Sequence, residues 1–463
     1  MATSYINVFG DLRLETRGEQ FLNRLFVSGT RSIQQLSFSR AEQKAFYRLL
    51  SSDKVSEKKL IEEVRGRCGN SAKGKLVLAI QDSSDINLFK HRNRIDLTTG
   101  VGRIGSHDFN QIGFNIHPSV VIDALNGFPL GFSDIRIWNR SMEKQDKNDR
   151  DYKKLPISDK ESYKWIETSQ RTKECLKDAE AIVIVQDREG DIFEQFETIP
   201  DQKTYLLVRS RENRILYDGS KLWDTLSNAP LAGTYTISID SDSHSQEAAR
   251  QAEIEVRYIK TAIKPPVKNK NSNPQILYAI EAREINSIAK EPLLWRLLTT
   301  WPITDFDVAH MVIQWYTCRW LIEEIFRLLK KEGFDIEGSE LESGWAIRKL
   351  CVMILDTVLK LTQMHIAYNS GEEINIGTEL CFSSEETECL TAMNVKAEGK
   401  TVALKNPFPQ NSLKWAVWVI ARTGGWKGYK SQRKPGMTTL MIGLGKFYNI
   451  FDGWSIQKDV GTR

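Results

Sequence analysis

Leu76-Val77-Leu78-Ala79-Ile80-Gln81-Asp82 and Ala181-Ile182-Val183-Ile184-Val185-Gln186-Asp187 repeat one pattern: an unbroken apolar run, a glutamine, then an aspartate. Such a run suits a strand buried on both faces, as in a parallel or mixed sheet covered by helices. Functional groups of such sheets collect at the strands' carboxyl ends, so the two carboxylates meet if the strands are neighbours. Taken alone, an aspartate after a strand is more often a helix cap or a turn residue.

Working outward, 114–124 and 130–138 read as strands joined by Leu125-Asn126-Gly127-Phe128, and Asn-Gly between β-like runs signals a hairpin. A further buried run, 204–208, ends at Arg209-Ser210-Arg211. Residues 1–68 read as helical, with apolar spacing over 21–27 and 41–50 and Ser37 or Ser39 available as a cap. Alternating patterns at 235–239 and 252–256 mark a mostly β insertion over about 212–300, with a loop at 264–271. Two long helices are expected at 305–331 and 344–368, then a polar linker at 369–378. The expected organisation is a helical domain at 1–68, an α/β domain at 69–368 and a helical domain at 369–463.

The chain has 463 residues, 64 Lys+Arg and 60 Asp+Glu, for a net charge of +4. That excludes a uniformly acidic or histone-like protein and leaves room for local basic surfaces, such as 395–463 with 12 Lys+Arg against 3 Asp+Glu. The 6 cysteines show no C-x-x-C spacing, so a disulfide scaffold and a zinc ribbon are not expected, and a reducing cytosol is. No run approaches the roughly 18 consecutive apolar residues of a membrane span, and 1–10 lacks the features of a secretory signal. A soluble, cytoplasmic protein without a membrane partner is expected.

Tyr316, Arg319, Glu323 and Lys330 follow Y-x(2)-R-x(3)-E-x(6)-K. At about 100° per residue they fall in one stripe about 60° wide, with Leu321, Ile325, Leu328 and Leu329 near the other side. Charges at helical spacing often form only surface pairs. Glu324, the rival acid, lies about 80° from Tyr316. Two strand-end aspartates and a helical glutamate offer oxygen ligands for magnesium, with manganese able to substitute. Two such ions about 4 Å apart serve in-line phosphoryl displacement. Arg319 and Lys330 suit flanking phosphates.

These segments resemble bacterial DDE cut-and-paste transposases of the insertion-sequence-four family, the group that includes the transposase of transposon five. The resemblance rests on Gly10-Asp11-Leu12-Arg13, Ala45-Phe46-Tyr47-Arg48, Leu78 to Ser84, Glu161-Ser162-Tyr163-Lys164-Trp165, Val185 to Asp191, and the Tyr-Arg-Glu-Lys signature. Ser83-Ser84 stands where the family more often has threonines, and the segment before Gly10 is shorter than in the transposon-five enzyme.

The resemblance implies an α/β fold with an RNase H-like catalytic core, a mixed five-stranded sheet flanked by helices, carrying a β-rich insertion. Helical N- and C-terminal domains serve end binding and dimerisation. It implies Asp82, Asp187 and Glu323 as catalytic residues holding two Mg2+ ions. Tyr316, Arg319 and Lys330 are implied as DNA contacts, with Trp295 beside a flipped base, Arg209 and Arg211 after a strand, and Arg17 and Arg48 on N-terminal helices. The partners implied are double-stranded DNA with terminal inverted repeats, target DNA and a second copy in a synaptic homodimer. Cleavage passes through a hairpin, and the 3′ ends are then joined to target DNA. The alternative is a DNA-binding relative, a repressor or domesticated protein, that no longer cuts. The basic, aromatic tail (Trp415, Trp418, Trp426, Lys427, Tyr429, Lys430) could bind DNA or form the dimer contact with its apolar face, and the dimer contact is the expectation.

Overall fold

The computed structural model describes residues 5–105, 111–142, 155–239, 249–287, 291–331, 333–370, 376–429 and 432–461. The chain opens with α1 (Leu12–Ser28), α2 (Ile33–Leu36), α3 (Arg40–Ser51) and α4 (Glu57–Ala72). Asp11, Ser39 and Ser56 cap the three long helices by accepting from the N–H groups of Arg13, Glu42 and Lys59, satisfying donors that a first turn leaves free. Of the two candidate serines, Ser39 is therefore the cap.

Next come β1 (Leu76–Gln81), β2 (Ser84–Asn87), β3 (Gly102–Arg103), β4 (Ile112–Asp123) and β5 (Pro129–Trp138). After α5 (Tyr163–Cys175) follow β6 (Ala181–Gln186), α6 (Phe193–Thr198) and β7 (Thr204–Arg209). Across the sheet these strands run β5-β4-β1-β6-β7. The β5/β4 and β4/β1 pairs are antiparallel; β1/β6 and β6/β7 are parallel. The two sequence runs are buried on both faces as expected. Leu78, Ile80, Val183 and Val185 enter one core, and Val77, Ala79, Ile182 and Ile184 the other, as the two-residue period of a strand requires.

Residues 212–300 do not form a separate sheet. They supply α7 (Leu222–Ser227), β8 (Leu231–Ile239), β9 (Arg250–Ile263), β10 (Gln275–Ile285) and β11 (Leu294–Thr299). β11 pairs antiparallel with β7 through Leu297 with Arg209, Leu298 with Val208 and Thr299 with Leu207. The expected five strands thus become part of one 11-stranded mixed sheet continuing β7-β11-β10-β9-β8. The physical reason is the edge: β7 would otherwise present unpaired backbone groups, and β11 satisfies them.

The helix expected over 305–331 is two, α8 (Phe306–Thr317) and α9 (Trp320–Lys330). At the junction the N–H groups of Cys318, Arg319, Leu321 and Ile322 each bond the carbonyl three residues back. The chain tightens there as a 3-10 turn does, turning Arg319 without reversing direction. α10 (Gly344–Asn369) is long and apolar enough by composition to cross a membrane, yet 83% of its most apolar window is buried within the protein. Its companions are α11 (Ser384–Ala397), α12 (Leu413–Thr423) and α13 (Met437–Gly461). Trp415 and Trp418 are core residues of α12, each 3% exposed, so they are not available for a contact between copies. Lys430 and residues 371–375 of the expected linker lie outside the described residues.

Candidate active site

Gln81 and Gln186 pair across the parallel β1/β6 ladder, so Asp82 and Asp187 leave the sheet side by side. The glutamines are fully buried. Gln186 Nε2 donates to Gln81 Oε1 at 2.8 Å, and Gln195 Nε2 donates to Gln186 Oε1 and to the Gly190 carbonyl, both at 2.8 Å. This polar bridge ties the two strand ends to each other and to the turn after Asp187. A Cβ on Gly190 would stand 2.4 Å from Gln186 Oε1. The repeated Gln-Asp dipeptide was the signal for the bridge.

The β4 ladder continues on both sides of Asp82: Gln81 pairs with Ser119, and Ser84 with Ile116. Between them it lapses, where Asp82 and Ser83 stand opposite Pro118 and His117 in the shared register. Pro118 has no N–H to give. The His117 ring is fully buried, with Nδ1 2.9 Å from the Ser83 hydroxyl. Burial, then the nearby Lys164 and Arg136 charges, push its pKa well below the usual histidine value, so the ring is neutral.

Two side chains from the α8–α9 junction reach these strand ends. Tyr316, 4% exposed, donates its hydroxyl to Asp187 Oδ1 at 3.2 Å. It is therefore not on a solvated face, as the stripe implied. Burial and the Asp187 charge push its pKa up to about 12, so it remains a neutral donor. Arg319 Nη1 is 3.1 Å from Asp82 Oδ2, and its Nη2 is 2.5 Å from Glu323 Oε1. Burial pushes the Asp82 carboxyl up to about 6, with Asp187 and Glu323 adding to the rise and the Ser83 N–H and Arg319 opposing it. Glu324 turns away and pairs with Arg327.

Lys330 pairs with Asp85 on β2 and with Glu337, both at 3.4 Å. Trp295, half-buried on β11, packs edge-on to Tyr316 with ring centroids 6.0 Å apart. Arg209 ends β7 and contributes to the field at Tyr316. Arg211 is exposed, with its backbone N–H on Asp191. Arg17 is half-buried on α1 and Arg48 exposed on α3. Asp191 carries the buried pair with Arg214, 2.6 Å, which props the turn after Asp187; nothing in the sequence singled out Arg214.

Three carboxylates stand against the Arg319 guanidinium, and all three are hard oxygen donors. In the arrangement seen, Arg319 occupies the approach between Asp82 and Glu323. Among the described residues no trio of His, Cys, Asp or Glu stands close enough to enclose one ion.

No protein-family model matches the chain. Among solved structures it is similar to a piggyBac transposase synaptic complex with hairpin DNA, at 9% identity and a TM-score of 0.36, covering 76% of this chain and 66% of that one. A likeness of that size assigns neither fold nor function.

Proposed function

We propose that the chain is a metal-dependent DNA transposase with an RNase H-like core, in which Asp82, Asp187 and Glu323 would hold two Mg2+ ions once Arg319 leaves its place between Asp82 and Glu323. The observation that carries this reading is Arg319, which bonds both Asp82 and Glu323, residues far apart in sequence, while Tyr316 of the same motif bonds Asp187. The strand order β5-β4-β1-β6-β7, three antiparallel then two parallel, supports the core assignment. When bound, the ions supply Lewis acidity and an activated oxygen nucleophile.

The chain's own residues then divide the work. The glutamine bridge holds Asp82 and Asp187 at adjacent strand ends. Tyr316 orients Asp187 by a neutral hydrogen bond. Arg319 neutralises Asp82 and Glu323, and on DNA binding it is released to hold a phosphate bidentately. Lys330 adds a point charge. Trp295 beside Tyr316 offers a stacking face for an extruded base. Cleavage of inverted-repeat ends through a hairpin, joining of 3′ ends to target DNA and a synaptic homodimer complete the proposal.

The Arg319 bridge also favours the second reading, a DNA-binding relative whose acids are locked and no longer cut. Nicking of a duplex carrying the inverted repeats that flank the coding region, in Mn2+, separates the two. The transposase reading expects nicking by the wild-type chain and none by Asp187→Ala, with binding retained by both. Binding without nicking by the wild type supports the second reading, and nicking that survives Asp187→Ala rejects the acid assignment.

A further inference from the structure

The strands beside Asp82 carry donors that the free protein leaves unused. Asn115 on β4 and Trp138 on β5 are cross-strand partners, and Arg140 stands two residues further on. With Ser84, Lys164 and Arg211 they line one groove of about 790 Å³ that begins at Ser83. Asn115 is only 8% exposed. Among the described residues its Nδ2, Trp138 Nε1 and Arg140 Nη1 are all buried and have no hydrogen-bond partner. The other side-chain nitrogens of Arg140 are engaged: Nε and Nη2 grip Glu161 at 2.8 and 2.6 Å. That grip aims the spare nitrogen.

Buried donors without acceptors are rare, because each has given up water for nothing. Three in one groove identify the missing partner by its chemistry. All three atoms donate, so the partner accepts. Phosphodiester oxygens only accept, whereas a base edge mixes donors with acceptors. The nearby acids are already engaged, Glu161 by Arg140, Glu189 by Lys164 at 3.5 Å and Asp85 by Lys330.

We propose that this groove binds one phosphodiester of a DNA strand running past Asp82, with Asn115, Trp138 and Arg140 as its hydrogen-bond donors. The proposal rests on the reading of the chain as a DNA-acting protein, but needs no cleavage. It gives the strand a second hold, on the opposite side of Asp82 from Tyr316 and Trp295.

The test uses the full-length chain in EDTA, with labelled oligothymidylate as probe and Trp138→Phe and Asn115→Ala as separate variants. Each deletes one unpaired donor, and Phe keeps the ring. Each is expected to weaken binding roughly tenfold, the worth of one hydrogen bond to a charged group, without lowering Tm, because the deleted donor had no partner to lose. An oligothymidylate with uncharged methylphosphonate links keeps only one non-bridging oxygen per link as a weaker, neutral acceptor, so the difference between wild type and variants should shrink. Wild-type affinity for oligothymidylate in both variants, or loss of affinity only with a matching loss of Tm, overturns the groove. Competition by inorganic phosphate at the oligonucleotide's own affinity also overturns it, reassigning the groove to free phosphate. The nicking assay with Asp187→Ala is unaffected by either variant's binding result, so the two proposals fail separately.

Discussion

Asp82→Asn should stabilise the metal-free protein, and the gain can be worked from the site. The Asp82 side chain is 23% exposed, and its carboxyl is pushed up from the ordinary 3.8 to about 6, mainly by burial. A rise of about two units corresponds to about 3 kcal/mol favouring the protonated form in the folded state. Well below pH 3.8 the carboxyl is protonated both folded and unfolded, so no penalty exists. The penalty grows as pH rises from 3.8 and is complete above about 6, where the folded state must keep a charge that the unfolded chain carries freely. Asparagine mimics the protonated acid and removes that penalty. With unfolding entropy of roughly 2.1 cal/mol/K per residue, the 463-residue chain should gain roughly 3 °C in Tm. Differential scanning calorimetry in EDTA at pH 7.5 and pH 4 measures it: the variant melts higher at 7.5, and most of that gain is gone at 4. Adding Mg2+ should reverse the order. An ion held at one hundred times its Kd contributes about 2.7 kcal/mol, and the variant has lost a ligand for it. A variant that melts at or below wild type at pH 7.5 in EDTA refutes the electrostatic account, and equal Mg2+ shifts in both proteins refute the role of Asp82 in holding the ion.

Three other substitutions probe the same cluster. Tyr316→Phe removes the 3.2 Å bond to Asp187 and should cost about 1 kcal/mol in urea unfolding, with a roughly tenfold slower nicking rate; an unchanged rate denies Tyr316 its positioning role. Arg319→Ala leaves Asp82 and Glu323 without their shared counter-charge, so the Asp82 pKa should rise further, read as a stability–pH profile whose acid-side gain extends to higher pH. Gln186→Leu takes the 2.8 Å donor from Gln81 Oε1 and one acceptor from Gln195 Nε2 in a fully buried place, leaving them their Ser169 and Gly190 contacts. It should cost roughly 1–3 kcal/mol, seen as a lower urea midpoint with an unchanged slope.

The two Gln-Asp segments were legible because a strand buried on both faces leaves an unmistakable unbroken apolar run, and the observed register aligns their glutamines. The spacing of Tyr316, Arg319 and Glu323 pointed to one face, and all three do meet the strand-end acids or their counter-charge; the break of the helix at Cys318 and Arg319 was not legible, because no Pro or Gly marks it in the sequence. The union of β11 with β7 was hidden because an alternating strand does not state its partner. Asn115, Trp138 and Arg140 escaped notice because their common property, a donor without an acceptor, exists only after folding.

The lapse in the ladder at Pro118 has a mechanical consequence. A carboxylate held in a continuous sheet moves only with the whole layer. Here the sheet carries a dropped stitch at Asp82, so the acid's posture is set by the Ser83 N–H and by the Arg319 guanidinium, which an arriving phosphate can draw away without any strand having to move.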